Sequence, residues 1–303
     1  MLHHIAIDKR FSLIYNILKI LTGKMPPKKE AKGKMRITDC HAHIFPDKIA
    51  EKASVGIGDF YDTKMRYVGS CERLLESGSK AGMTNYWVHS VATTAAQIRS
   101  INSFIAQQCE LHPEFIGFGS VHPDAPDMQA EIDNIIALGL KGVKLHPDFQ
   151  KFNIDDPCAY PIYECIQGKL PLIIHTGDDR YDFSHPRRMA KVLELFPKLD
   201  CICAHMGGYA VWDEAYEYLH DHRCWVDSSS TMGMMNDYDH VRRLVSKWGT
   251  ERMLFGSDFP MWDHTEELER FGKLGITGSA LEDVMYRNAD YIIEHCSVGG
   301  AKA

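Results

Sequence analysis

The sequence predicts an α/β fold of the (β/α)8 barrel type, a TIM-type barrel, and three observations predict it. Eight short β-prone runs alternate with longer helical patterns from residue 35 onward. The runs are largely apolar or β-branched, as strands buried on both faces must be, which implies a parallel sheet. Ionisable side chains then gather at the C-terminal ends of several runs, the end at which the active sites of such barrels lie. A doubly wound open sheet is the alternative. No G-x-G-x-x-G follows the first strand, which weakens a dinucleotide-binding version of it.

The candidate strands are 35–41, 86–91, 115–121, 141–146, 171–176, 201–205, 224–229 and 253–258. Between them, helical patterns cover 71–81, 95–111 and 128–138, the last followed by Gly139, a favourable C-cap residue. Further helices are expected over 186–195, 212–220, 238–248, 266–274 and 281–295. Pro113, Pro123, Pro147, Pro171, Pro186 and Pro260 fall at element edges, where proline is tolerated. Eight units in about 265 residues suit a barrel.

Composition narrows the class. The chain has 303 residues, 45% of them apolar, enough for a large core. Net charge is −7, and no basic stripe appears outside residues 24–36, which argues against a nucleic-acid partner. Nine cysteines occur without a C-x-x-C pair. That pattern reads as free thiols in a reducing compartment, and a cytoplasmic location is expected. Residues 1–34 differ from the rest. The apolar run from Phe11 to Leu21 is interrupted by Lys19 and is too short to span a bilayer. Lys9-Arg10 precede it, but no A-x-A-like cleavage site follows. The expected division is an N-terminal extension over 1–34 and one catalytic barrel over 35–303, with Met25 and Met35 as candidate starts. No membrane partner is expected.

The first strand ends in Asp39-Cys40-His41-Ala42-His43. Alternation along a strand points His41 and His43 the same way. Two neutral imidazoles side by side make half of a site for Zn²⁺ or a similar ion. With 16 histidines in the chain, such a pair also arises by chance, so the other strand ends decide. The fourth strand ends in Lys144 and His146, the fifth in His175, the sixth in His205 and the eighth in Asp258. One ionisable group at the end of a buried strand has an ordinary explanation; five or more on one rim do not. His41, His43, His175 and Asp258 would supply three nitrogens and one oxygen, leaving a position for water as a catalytic site needs.

Five motifs tie these ends together: D-C-H-A-H-I-F-P (39–46), G-V-K-L-H-P (142–147), I-I-H-T-G (173–177), A-H-M-G-G (204–208) and F-G-S-D-F-P (255–260). In order and spacing the chain resembles the amidohydrolase superfamily, in the branch that includes aminocarboxymuconate semialdehyde decarboxylase and γ-resorcylate decarboxylase. The resemblance covers about residues 35–295. It implies a divalent metal, zinc first with manganese or another ion as alternatives. It also implies His41, His43 and His175 as ligands, Asp258 as ligand and proton carrier, and His205 as the residue that orients or deprotonates the metal-bound water. Lys144 matches the one-metal branch, so an uncarboxylated cation is expected there rather than the bridging lysine of two-metal members. His146 reads equally as a substrate contact and as a wall residue. TatD-like nucleases also begin with H-x-H, but their acidic motif near the fourth strand is absent.

The loop after the fifth strand, 177–188, is the expected specificity element. Arg180 there is a candidate carboxylate clamp, set against local pairing with Asp178, Asp179 or Asp182. Tyr209 is a candidate pocket wall, while His89 and His122 are read as structural. Asp39 is expected on the same face as His41, deeper in the barrel. The leading expectation is hydrolysis of a small amide, lactone or ester by metal-activated water. Decarboxylation of an aromatic or unsaturated acid is the second, and a non-catalytic ligand-binding barrel the third. The expected partner is a small-molecule substrate, with a homodimer as the candidate assembly.

Overall fold

The computed structural model describes residues 35–297, so the expected extension over 1–34 lies outside the described residues. Eight parallel strands follow one another around the sheet in chain order. They are β1 Thr38–His43, β2 Asn85–His89, β3 Phe115–Ser120, β4 Gly142–Leu145, β5 Leu172–Ile174, β6 Cys201–Cys203, β7 Cys224–Asp227 and β8 Met253–Leu254. The segment after β8 returns to β1. Cys40 N donates to Phe255 O at 2.9 Å, His43 N to Phe259 O at 2.7 Å, and Asp258 N to His41 O at 2.9 Å. These bonds close the barrel, as the alternation predicted.

The longer helices are α1 Asp47–Tyr61, α2 Cys71–Ala81, α3 Ile98–Leu111, α4 Met128–Ala137, α5 Tyr160–Ile166, α6 Pro186–Leu195, α7 Trp212–Leu219, α8 Tyr238–Trp248, α9 His264–Gly272 and α10 Asn288–Cys296. Caps set several boundaries. Ser70 accepts from the Arg73 amide and Gly82 turns left-handed after α2, while Asp237 caps α8 and Asp263 caps α9. The helix expected over 281–295 is present as a continuous helical run with a π turn at Asp283–Arg287 ahead of α10. One helix expectation needs correction. The whole of α1 lies in a stretch with no helix expected. Its buried face is Ala50, Ser54 and Gly58, small residues that carry little apolar periodicity.

The barrel interior has two storeys. The lower holds Cys40, Trp87, Phe118, Ile173, Ile202, Trp225 and Leu254, joined by Ala289, Ile292 and Cys296 of α10. The upper begins two residues further along the same strands, where alternation turns a side chain inward again. There Ile173 gives way to His175, Trp225 to Asp227 and Trp87 to His89.

The first strand departs from simple alternation. Asp39 pairs with Tyr86 and Ala42 with Val88, so one strand spends three residues where its neighbour spends two. This bulge turns Cys40 and His41 to the same side and sends Asp39 outward. Asp39 accepts from Ser257 N at 2.9 Å and faces His264 Nε2 at 3.0 Å, in the layer between sheet and helices. The expectation that Asp39 shares the face of His41 is therefore corrected.

Candidate active site

All the strand-end groups singled out in the sequence are buried at the C-terminal rim. Lys144 is 0% exposed, and its Nζ lies 3.0 Å from His41 Nε2. Asp258 Oδ1 lies 3.6 Å from both His41 Nε2 and His43 Nε2. Its other oxygen accepts from Ser230 Oγ at 2.6 Å, which in turn accepts from Trp262 Nε1 at 2.9 Å. His205 and Asp258 both sit at left-handed backbone angles, φ 60° and 59°. Non-glycine residues hold such angles at a cost of roughly 1–3 kcal/mol, and they cluster where function needs them. Gly177, φ 79°, lets the loops after β5 and β6 touch; a Cβ there would lie 2.6 Å from the Gly208 carbonyl carbon.

Hydrogen-bond partners assign the imidazole tautomers. His41 Nδ1 lies 2.9 Å from Asp227 Oδ2, so it carries the proton and leaves Nε2 bare. His205 Nδ1 faces the Ser229 carbonyl at 3.1 Å and must donate. Its Nε2 then accepts from His175 Nδ1 at 3.0 Å, which leaves the buried His175 Nε2 as a lone pair without a partner. Asp227 supports this chain from below, accepting also from His205 N at 3.0 Å and from Ser229 Oγ.

Burial drives the titration behaviour. Loss of solvation first, then the Lys144 charge, holds His41 well below the usual range and His43 down to about 3. His175, His146 and His89 are pushed down by the same desolvation, and Lys144 to about 8. Neutral imidazoles are the form that binds metal.

A small cavity of about 20 Å³ touches His41, His43, His146, His175, His205 and Asp258, room for about one water or ion. Its roof is α1 with the segment after it, through Ile57, Tyr61 and Met65. Tyr61 Oη lies 2.7 Å from His146 Nε2 and its ring packs on Tyr209 with centroids 5.3 Å apart. His146 stacks on His175 at 4.0 Å. Tyr209 is not among the residues that line this cavity; its ring lies 5.7 Å from that of His175. Arg180 is held locally. It grips Asp178 with Nε and Nη2 at 2.9 and 2.6 Å and donates to the Phe60 carbonyl, tying the end of α1 to the loop after β5. A second, larger cavity of about 890 Å³ runs beside α1 and α3 and meets the first at His43, Ile57 and Phe149.

Residues 38–291 match the family model described as amidohydrolase. The chain belongs to the amidohydrolase family. It is therefore a metal-dependent enzyme of that family. Among curated proteins it is similar to the 2-amino-3-carboxymuconate-6-semialdehyde decarboxylase of Dictyostelium discoideum, 25% identical over 203 residues, which are 53% of this chain. The chain spans about half the length of that relative, 55%. Its fold is similar to that of an uncharacterised TIM-barrel protein from Bordetella bronchiseptica, with TM-score 0.69, 19% identity, and coverage of 86% of this chain and 99% of that one. It is also similar to that of a dihydroxybenzoic acid decarboxylase from Polaromonas, solved with manganese and 2-nitroresorcinol. There the TM-score is 0.67, with 15% identity and coverage of 86% and 97%.

The amidohydrolase site fits a divalent ion on its own chemistry. The unprotonated Nε2 atoms of His41, which takes the Lys144 ammonium at 3.0 Å, and of His175 are backed by N–H donation from Nδ1, the arrangement that orients metal-ligating imidazoles. Among the described residues, three groups of donors lie within 4.8 Å of one another: His41–His43–His89, His41–His205–Asp227 and His146–Asp148–His175. Sequence reasoning passed over Tyr61 and Asp148 and read His89 as structural. Asp148 lies in the short helix Pro147–Gln150 beyond β4, so strand alternation did not point to it. Burial pushes its carboxyl up to about 7, opposed by a hydrogen bond from Ser184. No helix among the described residues is long and apolar enough to cross a membrane.

Proposed function

We propose that this amidohydrolase is a non-oxidative decarboxylase of an aromatic or unsaturated carboxylic acid. Hydrolysis of an amide, lactone or ester was the leading expectation from sequence, and it becomes the second reading. The observation that carries the proposal is the enclosed rim site, with a lysine ammonium and an aspartate beneath an apolar roof. The names of the similar proteins support the same reading. A desolvated carboxylate loses CO₂ more readily than a hydrated one, and a buried rim beneath an apolar roof suits that chemistry.

His41, His43, His175 and Asp258 would hold the ion, with manganese and zinc both suited to the donor set. When bound, the ion supplies Lewis-acid polarisation of substrate oxygens. The protein's own groups do the rest. Tyr61 and Met65 exclude bulk water, and Lys144 supplies positive charge beneath the substrate carboxylate. Asp258 or His205 in its protonated form gives a proton to the carbon that bears the carboxylate. The C–C bond then breaks, its electron pair returns to the unsaturated system, and CO₂ leaves. Water restores the proton to the donor.

The proposed partner is a small organic acid, and the proposed assembly is a homodimer, checked by light scattering. The nine unpaired cysteines support a cytoplasmic compartment. The deciding assay strips the enzyme with chelator, reloads it with Mn²⁺ or Zn²⁺, and offers hydroxybenzoates beside lactones and amides. Metal-dependent CO₂ release is expected. Acid release from lactones or amides without CO₂ would return the reading to hydrolysis.

A further inference from the structure

His89 ends β2 and is fully buried, yet neither ring nitrogen has a hydrogen-bond partner among the described residues. A buried polar atom left unpaired costs stability, so an imidazole with two of them asks for a reason. Its surroundings supply one. Register pairs His89 with His43, which sets both rings at the same height on the rim. The His43 ring stands 4.4 Å away at 84°, and the His41 ring 5.0 Å away at 75°. One nitrogen from each of the three lies within 4.8 Å of the others. His43 and His41 also share Asp258 Oδ1 at 3.6 Å. A structural histidine in a core is ordinarily fixed by a hydrogen bond; this one is fixed only by other imidazoles.

We infer that His89 is a nitrogen ligand to the divalent ion held by His41, His43, His175 and Asp258. The inference rests on the metal dependence of the family and adds a donor from β2. Three imidazoles facing one another are tolerable when neutral, and an ion shared among them would take one of the two unpaired His89 nitrogens.

The test is metal binding. Metal-free wild-type protein and the variants His89→Ala and His89→Gln are titrated with Co²⁺, followed by visible absorption, and with Mn²⁺, followed by the spin-resonance signal of free ion. Melting of the metal-free proteins reports folding. Loss of this donor should weaken affinity on the order of 10-fold to 100-fold and alter the Co²⁺ spectrum, while metal-free melting is kept or raised. X-ray absorption of the wild-type Co²⁺ protein, which needs no variant, should fit four imidazoles; three would overturn the inference. Unchanged affinity and spectrum in either folded variant would overturn it as well. Failure of the wild type to bind stoichiometrically would overturn the metal reading itself, a distinguishable result.

Discussion

The two storeys of the barrel interior are built by the same strands, two residues apart, and obey opposite rules. Below, Trp87, Phe118, Ile173 and Leu254 bury apolar area and stabilise the fold. Above, His89, Lys144, His175 and Asp258 bury polar groups that cost stability unless paired or ligated. The strand period cannot tell the storeys apart, because both are inward-facing positions. What separates them is chemistry on offer: one layer excludes water, the other gathers ionisable side chains around a small cavity.

That contrast can be broken at several points. The largest effect is expected for Asp258→Asn, which keeps the shape and removes the proposed proton carrier. Turnover should fall on the order of 10²–10⁴-fold with no loss of melting temperature; a small change in rate would remove Asp258 from the chemistry. Phe118→Ala in the lower storey should do the reverse. Stability should drop about 3–5 kcal/mol, read by urea unfolding, while the folded fraction still binds metal. Lys144→Met removes a buried ammonium whose nearest partner is a neutral imidazole at 3.0 Å. Stability should hold or rise by roughly 1 kcal/mol while CO₂ release is lost; an unfolded variant would show that Lys144 is structural.

A buried carboxyl outside the rim gives the pH test. Burial raises Glu267 to about 7, opposed by its bond with Arg270. The folded state then holds a proton that the unfolded chain releases near the ordinary carboxyl value. Stability contributed by this group falls as pH rises from about 4.5 to about 7 and is level above that. Glu267→Gln should flatten that part of the stability profile, measured by chemical unfolding across the range; an unchanged slope would overturn it. The smallest effect is expected for Tyr61→Phe, which removes the bond to His146 and keeps the roof. Loosening α1 by about 0.5–1.5 kcal/mol should raise KM a few-fold and leave metal affinity alone.

The architecture was legible because strand period, helix period and proline placement are local. The boundaries of α2, α6 and α8 fall where the pattern placed them. The eighth strand was overread: only Met253–Leu254 pair as a strand, and the residues after them reach β1 through single bonds while Asp258 turns left-handed. Helix α1 was missed because its buried face is made of small residues, yet it forms the roof of the site.

By itself the sequence determined the barrel, the order of its strands and the candidate donors His41, His43, His175 and Asp258, since these follow from spacing along the chain. Three matters were decided only by the tertiary structure. The bulge in β1 moved Asp39 out of the interior, and Arg180 closed on Asp178 rather than on the pocket. The third concerns His89, whose ring nitrogens find no hydrogen-bond partner among the described residues beside two other histidines. Each depends on contacts between residues far apart in sequence, where packing geometry sets which partner a polar group can reach.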